Sequence, residues 1–175
     1  MNTGQMLITI GAIFLLSMVI LSTNRGLLTT NTTMVENRYN IMAVSLGTSI
    51  IERATGLAFD KATDGAAITT TTPLTAATSL GIETGENRNN PEDFSDFDDY
   101  NCYKTNPKLD TLKIQGSNRQ IIFQTFCVVQ YVNENNPDQV TTSKTFHKKI
   151  TVKVISPAQT DTVRLSTVYS YWYFR

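Results

Sequence analysis

The chain has 175 residues and no formal net charge, with 15 Lys and Arg side chains against 15 Asp and Glu side chains. This length suits one well-buried domain with an appendage and is too short for two ordinary domains. A neutral chain lacks the basic field that attracts phosphates, so nucleic-acid binding by charge is disfavoured. One His and two Cys residues are too few for a histidine-rich zinc site or an iron–sulfur cluster.

The first predicted element covers residues 1–24, which contain no charged side chain and are almost wholly apolar from residue 6 to residue 21. A helix over this stretch would be roughly 36 Å long, enough to cross a hydrocarbon core of about 30 Å. A cleaved secretory signal and a buried core helix are the alternatives. We predict a helix that lies in a membrane or a filament core, with an apolar surface formed by Met6, Leu7, Ile8, Ile10, Ile13, Phe14, Leu15, Leu16, Val19, Ile20 and Leu21.

Residues 25–61 are predicted to continue this helix in amphipathic form. Their charged residues lie off an apolar stripe that repeats every three or four positions, which is typical of a helix with one buried face. Gly26 and the neighbouring Thr residues have low helix propensity, so we expect irregular backbone, if any, between Ser22 and Thr33. The stripe consists of Val35, Tyr39, Met42, Leu46, Ile50, Ala54 and Leu57.

Residues 62–118 are rich in Thr, Gly, Asn and Asp, and they are predicted to form a long ordered loop. The only acidic concentration lies at residues 92–99, and oxygen-rich loops of this kind can bind Ca²⁺. Because Phe94 and Phe97 interrupt the carboxylates, we expect them to attach the loop to the rest of the domain instead. We therefore predict no cofactor and no tight calcium site; the weak candidate ligands are Asp93, Asp96, Asp98 and Asp99.

Residues 119–175 are predicted to form an antiparallel β-sheet. Residues 120–132, 144–155 and 162–174 are dense in β-branched and aromatic side chains, and short turn-rich connections join them. Alternation in the middle strand leaves one face of the sheet in need of a cover, and the amphipathic helix is the available one. The sequence thus predicts an α+β fold, with a long N-terminal helix packed on a meander of three or more strands.

Cys102 and Cys127 follow the membrane segment and are well placed for one disulfide in an oxidising compartment. A closed loop of this size would stabilise the domain by roughly 3 kcal/mol in the chain-entropy model. Two unpaired buried thiols are the alternative, because free cysteine is a common core residue.

We find no sequence motif that carries an enzymatic reaction. Nucleophile elbows, phosphate-binding loops, metalloprotease helices and dinucleotide-binding glycine patterns are all missing from the sequence. The single histidine, His147, lies in a predicted strand, where a solvated or cross-strand role is the simpler interpretation than that of a catalytic base. We therefore expect a protein that is not an enzyme.

An apolar N-terminal helix that continues as an amphipathic helix, followed by a loop and an antiparallel meander, resembles the type IV pilins and type II pseudopilins. Gly4 followed by Gln5 and an apolar run is similar to the processing site of these proteins. Thr9 stands where the family has a glutamate, and the first four residues carry no basic side chain.

The resemblance implies a structural subunit held in the inner membrane and then exported into an extracellular filament. It implies self-association into a helical homopolymer, with the β-domains outside, and contact with a pilus assembly machinery. The alternative is a single-pass membrane protein that presents its β-domain outside the membrane as a binding or accessory module.

Overall fold

The computed structural model describes residues 2–113, 120–157 and 161–172. By its internal contacts the chain divides into two units, residues 1–39 and residues 40–175. The predictions made for residues 114–119, 158–160 and 173–175, at the end of the loop, in the last turn and in the last strand, lie outside the described residues.

Helix α1 extends from Thr3 to Thr55, and its part up to Tyr39 belongs to the first unit. The helix continues without interruption through residues 22–33. The sequence had predicted that any irregular backbone in the helix would lie there. Hydroxyl groups there donate to carbonyl oxygens one turn earlier, as Thr23 Oγ1 does to Val19 at 2.9 Å. The low propensity of these residues therefore does not break the helix.

In the second unit, the last turns of α1 pack against the sheet through small residues. Ala43, Gly47, Ile50 and Ala54 are buried. A Cβ atom added at Gly47 would lie 2.8 Å from Leu165 Cδ1, so the glycine permits a closer approach than any side chain would.

The buried stripe of α1 thus differs from the predicted one. Of the seven residues predicted, Ile50 and Ala54 alone are buried, whereas Val35 is 44% and Met42 is 40% exposed. Val35 belongs to the first unit, and in the second unit the close approach of the helix to the sheet at Gly47 favours small side chains over large apolar ones. The helix also ends at Thr55, six residues before the predicted end at residue 61.

Four strands form one antiparallel sheet in the order β1-β2-β3-β4. They are β1 (Lys108–Lys113), β2 (Gln120–Tyr131), β3 (His147–Ile155) and β4 (Val163–Ser170). The α+β fold and the meander are confirmed. Strand β1 lies within residues 62–118, which were predicted as loop. It was missed because three of its six side chains are charged, which makes a weak strand signal.

Alternate residues of β2 and β3 point into the core of the second unit. Phe123, Cys127 and Val129 of β2 are at most 1% exposed, and Ile150 and Val152 of β3 are completely buried. Cys127 is paired with Val152, and Val129 with Ile150, across the two central strands. One face of the sheet is therefore the core, as the alternation in β3 predicted.

The segment between α1 and β1 contains three short 3₁₀ helices, Lys61–Thr63, Pro91–Asp93 and Phe97–Tyr103. Phe94 and Phe97 are buried. The Phe94 ring lies 5.1 Å from the Tyr100 ring, and the Phe97 ring lies 5.0 Å from the Tyr169 ring, measured between centroids. The Phe97 contact confirms that this phenylalanine attaches the acidic loop to β4, whereas Phe94 packs on a tyrosine of the same loop segment.

Candidate functional site

The first unit presents an apolar helical surface. The eleven apolar residues predicted between Met6 and Leu21 are 52–73% exposed. By length and composition α1 is able to cross a membrane, and none of its most apolar window is buried. Exposure of this much apolar side chain is a feature of surfaces that lie against lipid or another protein.

Exposed apolar side chains continue beyond the length that a bilayer needs. Leu27, Leu28 and Met34 are 60%, 67% and 53% exposed. A membrane-spanning helix requires about 20 residues. The helical surface available for association is therefore longer than a simple membrane anchor.

Gly4 and Gln5, the residues of the predicted processing site, lie in the first turn of α1 and are exposed. The Gln5 amide donates to the Asn2 carbonyl at 2.9 Å. Processing between Gly4 and Gln5 stays a prediction.

The second unit contains a completely buried lysine, Lys148 of β3. Its Nζ atom donates to Asp60 Oδ2 and to the Phe59 carbonyl oxygen, both at 2.8 Å, and forms an ion pair with Asp98. The ammonium group also lies 4.7 Å from the centre of the Phe59 ring and 5.4 Å from that of Tyr131. Lys148 thus connects β3 to two segments of the long connection before β1.

The carboxylate of Asp60 accepts hydrogen bonds from several other donors besides Lys148. The amides of Ala62 and Thr75 donate to its carboxylate at 3.1 Å and 3.0 Å. Burial alone would raise the pKa of Asp60, but the charge and hydrogen bond of Lys148, together with these amides, outweigh burial and lower it. Asp60 is therefore ionised at neutral pH and paired with the lysine.

A cluster of five carboxylates lies beside this ion pair, and we call it the acidic cluster. Glu83, Asp96 and Asp98 offer oxygen atoms within 4.8 Å of one another, and Glu83, Glu86 and Asp99 form a second such group. Both groups share Glu83. The three aspartates are completely buried, whereas the two glutamates are partly exposed at the rim.

In both Asp96 and Asp99, backbone amides donate to one of the two carboxylate oxygens. Asp96 caps the 3₁₀ helix Phe97–Tyr103 and accepts from the Asp98 amide at 2.8 Å. Asp99 accepts from the amides of Ser95 and Asp96 at 2.9 Å and 3.0 Å. The second oxygens, Asp96 Oδ2 and Asp99 Oδ1, are buried without a hydrogen-bond partner among the described residues.

A hydrogen bond between the backbone of Glu83 and the side chain of Glu86 links the two glutamates. Glu86 accepts from the Glu83 amide at 2.9 Å and from the Ser95 hydroxyl at 2.7 Å. Glu83 Oε2 is buried and has no hydrogen-bond partner among the described residues. Three carboxylate oxygens of the acidic cluster are thus unpartnered.

Burial and mutual repulsion disturb the protonation of the acidic cluster. Burial, followed by the charges of Asp98 and Asp99, raises the pKa of Asp96 to about 9. Burial and the charges of Asp99 and Glu86 raise the pKa of Glu83 to about 7, and burial raises that of Asp99 to about 6. Carboxylates in this setting take up either protons or a cation.

The structure brings together three of the four residues named as weak calcium candidates. Asp96, Asp98 and Asp99 belong to the acidic cluster, but Asp93 does not, because its carboxylate accepts from the Asn90 side chain at 2.8 Å in an exposed turn. Glu83 and Glu86 were missed, since they precede the acidic run by several residues and only the fold of the loop brings them back.

Sequence reasoning also missed Lys148. It occupies the same parity in β3 as Ile150 and Val152, so strict alternation places it on the buried face. That parity was the available signal. A lysine on the apolar face of a strand indicates a buried carboxylate partner, because an unpaired buried ammonium group is too costly.

The structure does not contain the predicted disulfide. Cys102 and Cys127 are free thiols. Cys127 lies in the core face of β2, and Cys102 lies half-buried in the 3₁₀ helix Phe97–Tyr103. Burial raises the pKa of Cys102 to about 11 and that of Cys127 to about 12. Both thiols are therefore protonated at neutral pH.

His147 makes a cross-strand contact. Its Nδ1 atom lies 2.6 Å from the hydroxyl oxygen of Ser170, the residue paired with it in β4. This arrangement agrees with the cross-strand interpretation of the histidine.

Comparisons of the chain with protein-family models, with curated proteins and with solved structures found no match.

Proposed function

We propose that this protein is a structural subunit of an extracellular filament that resembles a type IV pilus, and that its role is not catalytic. The observation that carries the proposal is the apolar surface of the first unit, which is uncharged over residues 6–21 and exposed all round. Before assembly the bilayer would cover this surface. In the filament the same surface would be covered by the helices of neighbouring copies.

The exchange of lipid for protein is physically reasonable for this helix. Lipid tails are as apolar as the leucine and isoleucine side chains, so no hydrophobic penalty opposes leaving the bilayer for an equally apolar bundle. Head-to-tail contacts between copies that do not close into a ring generate a filament. The β-domains would then lie outside, and export would depend on a pilus assembly machinery in the inner membrane.

The apolar surface beyond a bilayer length favours the filament over a simple anchor. Leu27 and Leu28 are apolar, exposed and located after the charge-free stretch. In a membrane-anchored module these side chains would face water. In a filament they would lie against a second copy of the chain.

One substitution separates the two roles. Leu28→Glu leaves residues 1–24 intact, so the chain still enters the membrane, but it places a charge where a filament would bury the side chain. We expect wild-type protein and the control Leu28→Met in sheared surface filaments seen by electron microscopy. We expect Leu28→Glu in the membrane fraction only.

Absence of the wild-type chain from every surface polymer would contradict the filament proposal. Recovery of wild-type and Leu28→Glu protein alike in the membrane fraction alone would instead support a single-pass membrane protein with an accessory role. The first departure from the family, Thr9 in place of the glutamate, is the observation that favours this second role.

Mass spectrometry of the N-terminus provides a separate measurement. If the resemblance to prepilins extends to processing, the chain in filaments begins at Gln5. A chain that keeps residues 1–4 in assembled filaments would show that assembly does not need this cleavage.

A further inference from the structure

We propose that the acidic cluster binds one hard divalent cation of calcium size, with ligands from Glu83, Glu86, Asp96, Asp98 and Asp99. The proposal is independent of filament assembly.

The spacing of the carboxylates fits such an ion. Within each of the two groups that share Glu83, the candidate ligand atoms lie within 4.8 Å of one another. Calcium takes oxygen ligands at about 2.3–2.6 Å, so two oxygens on opposite sides of one ion are separated by about the same distance. Each group by itself therefore has the dimensions of a calcium site, and Glu83 belongs to both groups.

The unpartnered oxygens are the independent evidence for a ligand. Asp96 and Asp99 are completely buried, and each has one oxygen fixed by backbone amides. Their other oxygens, together with Glu83 Oε2, are buried and have no hydrogen-bond partner among the described residues. Buried ionised oxygens are retained when they are paired or coordinate a metal.

The carboxylates of the acidic cluster outnumber the basic side chains that pair with them, which also favours a bound cation. Lys148 is engaged by Asp60 and Asp98. Among the described residues no ion pair joins a lysine or arginine to the remaining carboxylates, which are those of Glu83, Glu86, Asp96 and Asp99. Lys61 contacts the rim through the Ser95 hydroxyl at 3.0 Å and pairs with none of them.

The donor set selects the type of ion. Every candidate ligand is a carboxylate, and no His or Cys side chain belongs to either group. Oxygen-only sites suit Ca²⁺ and Mg²⁺ rather than zinc or copper. Mg²⁺ requires a near-ideal octahedron and keeps several of its waters, whereas Ca²⁺ accepts many carboxylates in irregular geometry. The partly exposed glutamates provide an entry path from solvent.

The alternative to a bound cation is that protons shared between the carboxylates neutralise the acidic cluster. The cluster could neutralise itself by protonation of Glu83, Asp96 or Asp99, and it would then show no response to a divalent cation. A cation titration of the whole protein decides between the two.

The experiment uses the full chain in detergent micelles, stripped with a chelator and titrated with CaCl₂ by calorimetry at pH 7.5. We expect one Ca²⁺ bound per chain, a melting temperature that rises in millimolar Ca²⁺ and falls again with chelator, and weaker binding of Mg²⁺. Asp96→Asn is expected to weaken Ca²⁺ binding about 10-fold or more. The matched control Asp93→Asn, in the same loop but outside the cluster, is expected to bind within about two-fold of wild type.

A folded wild-type protein that shows neither heat nor a shift in melting temperature with Ca²⁺ would overturn the proposal in favour of shared protons. Equal loss of binding in Asp93→Asn and Asp96→Asn would also overturn it, since it would indicate a non-specific charge effect. If Asp96→Asn does not fold, Glu83→Gln replaces it, because Glu83 lies at the rim and belongs to both groups. Because the measurement uses unassembled protein, its failure would leave the filament proposal untouched.

Discussion

The two units of the chain place polar and apolar groups in opposite ways. In residues 3–39 the apolar side chains are outside, and Leu7 and Ile8 are more than 70% exposed. In the second unit several charged side chains are inside, and Lys148 and its two aspartates, Asp60 and Asp98, are completely buried. The first unit therefore depends on what covers it from outside the chain, whereas the second depends on pairing within the chain.

The largest effect should come from the buried lysine. Lys148→Ala leaves Asp60 and Asp98 buried without their cation, which is expected to lower the free energy of unfolding by about 3–5 kcal/mol. Lys153→Ala, on the partly exposed face of the same strand, should change it by no more than about 0.5 kcal/mol. Denaturant unfolding of the full chain in detergent, followed by near-ultraviolet circular dichroism, measures both. Similar losses in the two variants would show that Lys148 acts only through strand packing.

The same substitution at two glycines of α1, Gly47 in the second unit and Gly26 in the first, allows a direct comparison of the two units. Gly47→Val places methyl groups against Leu165, whose Cδ1 would lie 2.8 Å from the new Cβ atom and must move, so the second unit should be destabilised by about 1–2 kcal/mol. At Gly26 an added Cβ atom meets nothing within 4 Å. Gly26→Val should therefore leave the unfolding midpoint of the β-domain unchanged. Because valine has a higher helix propensity than glycine, a gain of stability in Gly47→Val would show that the contact accommodates the added methyl groups.

The acidic cluster predicts how stability depends on pH when divalent cations are removed. The folded pKa values of Asp96 (about 9), Glu83 (about 7) and Asp99 (about 6) lie above those of unfolded chains, near 4. Between these limits the folded state binds more protons than the unfolded state, so stability falls as pH rises. Asp60 has the opposite sign, and its contribution is lost only as the solution becomes more acidic than about pH 4.

Thermal melts in chelator should therefore give a melting temperature about 5 °C lower at pH 8 than at pH 5 for a chain of this size. The double variant Glu83→Gln/Asp96→Asn should flatten this dependence. A melting temperature that rises from pH 5 to pH 8 would contradict the protonation of the cluster.

The smallest effect concerns an unpartnered hydroxyl in the core. Thr125 of β2 is completely buried, and its Oγ1 atom has no hydrogen-bond partner among the described residues. Thr125→Val keeps the shape and removes that atom, so the free energy of unfolding should rise by about 1 kcal/mol. Thr151→Val, on the partly exposed face of β3, serves as the control and should change little. A loss of stability in Thr125→Val would indicate that the hydroxyl has a partner in solution.

Local patterns in the sequence were sufficient to predict the helix and three of the strands. Strand β2 begins at the predicted residue, Gln120, and β3 ends at the predicted residue, Ile155. Both strands are dense in β-branched and aromatic side chains, which is a signal within the strand itself. Strand β1 was missed because its six residues include three charged side chains, and its pairing with β2 is a tertiary effect.

The acidic cluster could not be predicted in full, for a different reason. Asp96, Asp98 and Asp99 are close in sequence, so their proximity is local. Glu83 and Glu86 reach them through the course of a long loop that no periodicity describes. The buried position of Lys148 was readable from strand parity, but its partners were not, because Asp60 and Asp98 lie 88 and 50 residues away.

The hydroxyl groups of α1 have a consequence for transfer between environments. Thr29 and Thr30 donate to the carbonyl oxygens of Arg25 and Gly26 at 3.0 Å and 2.9 Å, and Ser17 donates to Ile13 at 2.8 Å. Each donor is satisfied by its own helix before any neighbour arrives. Dehydration of this surface therefore leaves these hydroxyl protons bonded, and the threonine-rich turns can enter dry surroundings without a partner that matches them.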